Sequence, residues 1–215
     1  MLKETVSVPL TTFAPGANAQ ELVLPFDGRW FVAQGGDTQN VNHHMAVRAQ
    51  WYGVDFAKVS GASGRALTSA EEPSRLEHFY SWNQLVLAPV DGVVTSVVND
   101  LPDNPLGKKD VRRPAGNHVA IRTEAGMYVF LAHLKRGSVA VKVGERLTRR
   151  QVVGRVGNSG NSDFPHLHLH MQNSPTINEG EGLNLLFGGM DVELTGKVFE
   201  DVTWPLIRGL FVQSR

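Results

Sequence analysis

The sequence predicts a mainly β domain of antiparallel strands with long loops. Three observations predict it. The text is rich in Gly, Val and Thr, and its short apolar runs are cut by turn residues. Two pairs of such runs flank short turn sequences, Asp91-Gly92 and Glu124-Ala125-Gly126. A third run, His166-Leu167-His168-Leu169-His170-Met171, alternates polar and apolar residues with the period of a strand.

Taken in order, Glu21–Leu24 and Arg29–Ala33 read as strands on an edge of the domain. If Val41–Val47 is strand-like, the neighbours His43 and His44 point to opposite faces, and only one can face a site. Gln50–Phe56 is an apolar stretch that carries one acid, Asp55. Lys58–Glu72 is a Ser/Gly/Ala-rich loop, with a short helix expected at Arg65–Arg75. Leu85–Val90 and Val93–Val98 are expected to pair as a hairpin, since Gly tolerates the positive φ of a tight turn. Leu101–Gly116 is a loop with a basic run, Lys108-Lys109 and Arg112-Arg113, read as a solvated loop face. His118–Arg122 and Met127–His133 form a second expected hairpin, and Gln151–Val156 is a further strand. His166–Met171 is the last clear strand, Asn173–Leu183 a polar loop, and Lys197–Val212 an apolar segment able to pack.

Composition narrows the function. The 215 residues hold 21 basic and 21 acidic side chains, so no net charge favours nucleic acid or an anionic membrane surface. The absence of cysteine excludes disulfides, thiolate metal sites and cysteine nucleophiles. Residues 1–25 show no cationic head followed by a long apolar run, and no stretch is long enough to span a bilayer as a helix.

Chemistry concentrates in histidine. The chain has eight, and three stand at alternate positions in His166–His170. As a strand, this places the three imidazoles on one face, about 6.6 Å apart from one to the next, and Leu167, Leu169 and Met171 on the other. A polar strand face that happens to be rich in histidine is the plain alternative. Imidazole is a common metal ligand, and a hydrolytic zinc site takes three protein ligands and leaves one position open. The strand alone does not supply three, which leaves His43, His44, His78, His118, His133 and a carboxylate as partners. Asp55 is either a capping aspartate or a ligand, because a charge in an apolar stretch needs a partner. His133, taken alone, suits a buried histidine bonded to backbone.

The ordered series is more specific than any one motif. It runs from an upstream His and Asp through Leu87-Ala-Pro-Val-Asp-Gly-Val93, Gly116-Asn117-His118-Val119 and Ala132-His133-Leu134. It continues through Val143-Gly144 and Gly154-Arg-Val-Gly-Asn-Ser-Gly160 to Pro165-His166-Leu167-His168. From Asn42 to Met171 the chain closely resembles the lysostaphin/LytM-like zinc metalloendopeptidases, the M23 family. The resemblance implies an antiparallel β domain of the LytM-like, duplicated-hybrid-motif type, with long loops around a groove. It implies zinc held by an upstream His, Asp55 and His168, with His133 and His166 acting on the metal-bound water and the developing oxyanion. In the common pattern the upstream His stands four residues before the Asp, where this chain has Trp51. Some branches take it from an Asn-x-His stretch eleven residues before the Asp, which matches Asn42-His43-His44 and makes His44 the third ligand. His170 stands where Glu is frequent, as an orienting partner or a surface residue.

The resemblance further implies hydrolysis of peptide cross-links or stems in bacterial peptidoglycan, or of another peptide, at an extracytoplasmic location; a monomer is expected. A metal-free binding or activating module, and a zinc hydrolase of another amide or ester bond, are the alternatives. The expected organisation is an N-terminal extension, residues 1–41, packed on the same domain, a peptidase domain at 42–190 and a C-terminal extension at 191–215. Lys58–Trp82, Leu101–Gly116 and Asn173–Leu183 are the expected groove loops.

Overall fold

β-Branched and aromatic residues fill the segments that extend, and alternation decides which face each presents. The computed structural model of the chain describes residues 21–60 and 63–215. Expectations for residues 1–20, and for Gly61 and Ala62 in the first loop, lie outside the described residues.

Thirteen strands are formed among the described residues. They are β1 (Glu21–Leu22), β2 (Arg29–Gln34), β3 (Val54–Lys58), β4 (Leu85–Leu87), β5 (Gly92–Val98), β6 (Asn117–Arg122) and β7 (Tyr128–Leu134). They continue as β8 (Arg146–Leu147), β9 (Val152–Arg155), β10 (Leu167–Gln172), β11 (Leu186–Leu194), β12 (Lys197–Trp204) and β13 (Phe211–Ser214). One sheet runs β1-β11-β13-β2-β3-β10-β7-β6-β5-β8, with β12 attached to β11, and β4 and β9 form a separate ribbon. All pairs are antiparallel except β1 with β11. The mainly β, antiparallel architecture expected from the sequence is the one the chain adopts.

The core lies on one side of the central strands. Leu167, Leu169 and Met171 of β10 are fully buried there, with Val54 and Phe56 of β3. Phe26 stacks on Trp30 at 4.3 Å and meets Phe56 edge-on, and Phe56 in turn meets Phe187. Each large side chain fully buried in this way stabilises the fold by about 1.5–3 kcal/mol. The other side of β10 is buried too, and it carries His168, His170 and Gln172. β10 is thus held in register from both faces, since a slip of one residue would exchange its imidazoles for its aliphatic side chains.

Five local expectations are corrected. Leu85–Val90 and Val93–Val98 do not form a hairpin: β4 pairs with β9, whereas β5 pairs with β6 and β8. Pro89 intervenes, and the backbone near it serves β1 and the Gln151 turn instead, through Val23 N–H to Pro89 O and Ala88 N–H to Gln151 O. No helix forms at the described part of Arg65–Arg75; a single 3-10 turn forms at Leu76–His78. Val41–Val47 is not a strand, because Asn42 caps a 3-10 turn over His43–Ala46. β10 is not the last strand, since the segment after it folds as β11, β12 and β13. β2 is interior rather than an edge, lying between β13 and β3. The expected pairing of His118–Arg122 with Met127–His133 is found as β6 and β7.

Candidate metal centre

The site grows out of strand register. In the β3–β10 ladder Asp55 lies directly opposite His168, and in the β10–β7 ladder His168 lies opposite Ala132. Asp55 Oδ1 is 2.9 Å from His168 Nδ1. His166 precedes β10 and reaches the same carboxylate, with Nε2 at 3.7 Å.

His133 closes the group by a break in alternation. Ala132 and His133 both line the groove, although neighbours in a regular strand face opposite ways. The φ of His133 is +61°, and this left-handed turn at the end of β7 swings its side chain round to the groove. For a non-glycine residue such a conformation costs about 1–2 kcal/mol. Its Nδ1 donates to Ser159 O at 2.9 Å, which leaves the Nε2 lone pair on the groove side. Ser159 is held close by Gly116, whose φ is +60° and where an added Cβ would fall 2.4 Å from the Ser159 carbonyl carbon. His133 and His166 have ring centroids 4.8 Å apart. His166 Nδ1 donates to Phe164 O at 2.9 Å, so its Nε2 is also free of hydrogen.

The upstream histidines arrive on the capped turn. Asn42 Nδ2 donates to Gly36 O at 2.8 Å and Gly53 O at 3.1 Å, which fixes the amide so that Oδ1 is the acceptor. Oδ1 accepts from His44 N–H at 3.1 Å and from His44 Nδ1 at 2.8 Å. The His44 lone pair is thereby on Nε2, 3.4 Å from Asp55 Oδ1. His43 reaches the same acid from the solvent side, with Nε2 at 3.9 Å from Oδ2 and a side chain 65% exposed. The two rings therefore share the site rather than facing opposite ways, because consecutive residues of a tight turn do not alternate as a strand does. Trp51 is engaged elsewhere, its indole donating to Met45 O at 3.0 Å.

Electrostatics favour a cation here. Burial alone would raise the Asp55 carboxyl, but His44, His166 and His168 hold it well below the usual carboxylate range. Burial, with the neighbouring His44, pushes His168 down to about 3. Burial pushes His170 down to about 4 and His133 well below the ordinary histidine value. The result is an ionised acid faced by His168, a ring that burial holds neutral. His43, His44 and Asp55 bring one ligand atom each to within 4.8 Å of one another. The Asp55–His44 and Asp55–His168 separations of 3.4 and 2.9 Å are near the ~3.3 Å edge of a tetrahedron with ~2.0 Å metal–ligand bonds. An imidazole and carboxylate set of this kind suits zinc.

The five site residues picked from the sequence, His44, Asp55, His133, His166 and His168, all line a single groove of about 470 Å³. His78 and His118, the reserve candidates, do not line it. His118 Nδ1 bonds Gly116 O, and His78 Nδ1 accepts from Ser74 N–H. Two of the expected loops contribute to the walls, through Lys109, Pro114 and Ala115, and through Ile177 and Asn178. Lys109 turns the basic loop inward and pairs with Asp163 at 3.3 Å. Among its described residues Lys58–Trp82 supplies no lining residue, and its Phe79 stacks on the lining residue Phe164. Sequence reasoning passed over Gln34, Asn161, Asp163 and Phe164, which also line the groove. The part Asn42 plays in orienting His44 shows only in the fold.

The sequence model of Peptidase family M23 matches residues 77–181. That span includes His133, His166 and His168 and leaves out His44 and Asp55, the part of the chain where Trp51 breaks the common spacing. Among solved structures, the catalytic domain of the antimicrobial peptidase lysostaphin from Staphylococcus simulans is 20% identical, with a TM-score of 0.40 over 68% of this chain and 82% of that one. The deep-sea M23 metalloprotease pseudoalterin is 16% identical, with a TM-score of 0.47 over 88% and 99%. A zinc-containing peptidase from Vibrio cholerae is 18% identical, with a TM-score of 0.42 over 71% of this chain and 37% of that one, so this chain spans little more than a third of that protein. At TM-scores below 0.5 these likenesses assign no residue its role.

Proposed function

We propose that this chain, whose residues 77–181 match the M23 peptidases, is a zinc-dependent endopeptidase that cleaves peptide cross-links or stems of bacterial peptidoglycan outside the cytoplasm. The observation that carries the reading is the convergence of His44 Nε2 and His168 Nδ1 on one oxygen of a buried, ionised Asp55 in an open groove. Zinc is assigned to His44, Asp55 and His168, and His133 and His166 are assigned to catalysis. His168 is preferred to His43 as third ligand because it is buried and fixed by the strand ladder, whereas His43 is mostly exposed.

Zinc bound there would act as a Lewis acid and lower the pKa of an attacking water from about 15.7 toward about 7. The chain's own residues supply the rest. His133 and His166 each hold Nδ1 as a donor to a backbone carbonyl, so each presents a bare Nε2 to the groove. One takes the proton released as water attacks the peptide carbonyl. Protonated, that Nε2 becomes a donor, able to stabilise the oxyanion and then to pass the proton to the leaving amine. Burial keeps His133 neutral at the start, which suits the accepting step.

The supporting features do not depend on a transmembrane helix; no described helix is long and apolar enough to cross a membrane. The reading is tested by metal analysis of the purified protein together with digestion of purified peptidoglycan, with and without chelator. One zinc per chain and chelator-sensitive release of new amino termini are expected. A chain that binds zinc and releases none from peptidoglycan would move the substrate to another amide or ester. A chain that takes up no zinc would be a binding module.

A further inference from the structure

The imidazole row on β10 continues beyond the proposed ligand, and its end is anchored. Strand alternation places His168, His170 and Gln172 in line on one face. Gln172 Nε2 is 2.7 Å from Ser174 O and 2.7 Å from Thr176 O. Carbonyl oxygens only accept, so the amide nitrogen must occupy that end, and Oε1 must point back along the strand. Oε1 lies 3.1 Å from His170 Nε2. An amide oxygen cannot donate, so His170 carries its hydrogen on Nε2 and its lone pair on Nδ1. That Nδ1 is 2.9 Å from His168 Nε2, which must therefore donate. His168 is left with its lone pair on Nδ1, 2.9 Å from Asp55 Oδ1.

From this chain of contacts we propose that His170 and Gln172 are positioning residues that fix which nitrogen of His168 faces Asp55, a proposal that rests on the zinc reading above. Two lone pairs aimed at each other across 2.9 Å repel, and a cation between them turns both into ligands. The upstream ligand is set by the same device, through the anchored amide of Asn42 acting on His44. The ring of His170 has no freedom to undo the arrangement. It is fully buried and lies parallel to Phe130, with centroids 4.9 Å apart and planes 4° from parallel. The anchor also ties the ligand to the groove. Ser174 and Thr176 belong to the loop whose Ile177 and Asn178 form part of the wall. A shift of that wall would pull on the Gln172 amide and, through it, on the proton of His168.

Two measurements on the full chain test this. The first is zinc affinity by competition with a chromogenic chelator. His170→Phe keeps a ring beside Phe130 but offers no acceptor, and should weaken zinc binding about 10- to 100-fold. His170→Glu restores an acceptor and should recover most of that loss. Affinity unchanged in His170→Phe would overturn the proposal. The second is nitrogen-15 NMR of the zinc-free protein, which reads the tautomer directly and needs no variant to fold. His170 should carry hydrogen on Nε2, and Gln172→Leu should abolish that preference. Hydrogen on Nδ1 of His170 in the parent would overturn the relay. Should the parent bind no zinc, the metal reading fails, and the nitrogen spectrum still decides the relay separately.

Discussion

Two acids in this molecule, Glu193 half-buried and Asp55 buried, meet different kinds of partner. Glu193 on β11 has a side chain 13% exposed and is paired with the guanidiniums of Arg29 and Arg65, which also lie 4.7 Å from the Phe211 ring. Asp55 is 7% exposed and meets His43, His44, His166 and His168, with no arginine or lysine among its ion-pair partners in the described residues. Arginine is charged at any working pH, so Glu193 is complete as it stands. Four imidazoles share the one carboxylate of Asp55, and burial holds His168 among them neutral, which leaves room for a cation to balance the charge. The comparison separates an acid that serves the fold from an acid that serves a ligand.

The largest effect should follow from Asp55→Asn, which keeps size and removes charge. We expect zinc content to fall to background and peptidoglycan hydrolysis to vanish, read by elemental mass spectrometry and release of amino termini. Retained zinc would erase the contrast with Glu193. Next, His44→Ala should lose metal and activity while His43→Ala keeps the metal; the reverse would shift the ligand by one residue. His133→Ala and His166→Ala should each retain zinc and lose about 10²- to 10⁴-fold in rate, since proton transfer and not metal binding is removed. Zinc loss in either would recast it as a ligand.

How legible these contrasts were in the sequence differed by range. The β10 face was legible because period-two spacing translates directly into geometry, and Leu167, Leu169 and Met171 did take the core. Extending the same count one step would have reached Gln172. The φ of His133 was not legible, since a left-handed residue at a strand end leaves no mark in a histidine-leucine motif. The 3-10 turn at His43 was missed because the cap is one polar side chain, Asn42, while the flanking valines suggested a strand. The Asp91-Gly92 hairpin failed because local turn chemistry yielded to long-range pairing with β9 and β8. Glu193 and its two arginines, separated by more than a hundred residues, carried no sequence signal at all.

Smaller effects sharpen the comparison further. His168 and His170 titrate near 3 and 4 in the fold and near 6.5 in the unfolded chain. The unfolded state binds more protons between those values, so stability of the metal-free protein is full above pH 6.5 and declines as pH falls toward 4. Each ring should cost about 1.4 kcal/mol per pH unit once well below 6.5, visible as a falling Tm between pH 7 and pH 5. A flat profile would mean the rings are not buried neutral. Glu193→Gln should have the smallest consequence, about 1–3 kcal/mol of stability from two weakened charged contacts, with zinc affinity and turnover unchanged.

The contact between Asp55 and His168 joins residues 113 apart in the chain. Every element between them, from the first loop to β9, must be threaded or set aside before β3 and β10 can zip together. Pairings of such sequence separation form late and slowly, because chain closure is costly before the contact rewards it. The unfolded chain therefore offers no ready-made pocket, and an ion recognises only molecules whose central ladder has already closed. At a free concentration of a thousand times its Kd, such an ion would hold that ladder shut by about 4 kcal/mol. Metal uptake during refolding would then be a clock for the joining of the two halves of the sheet.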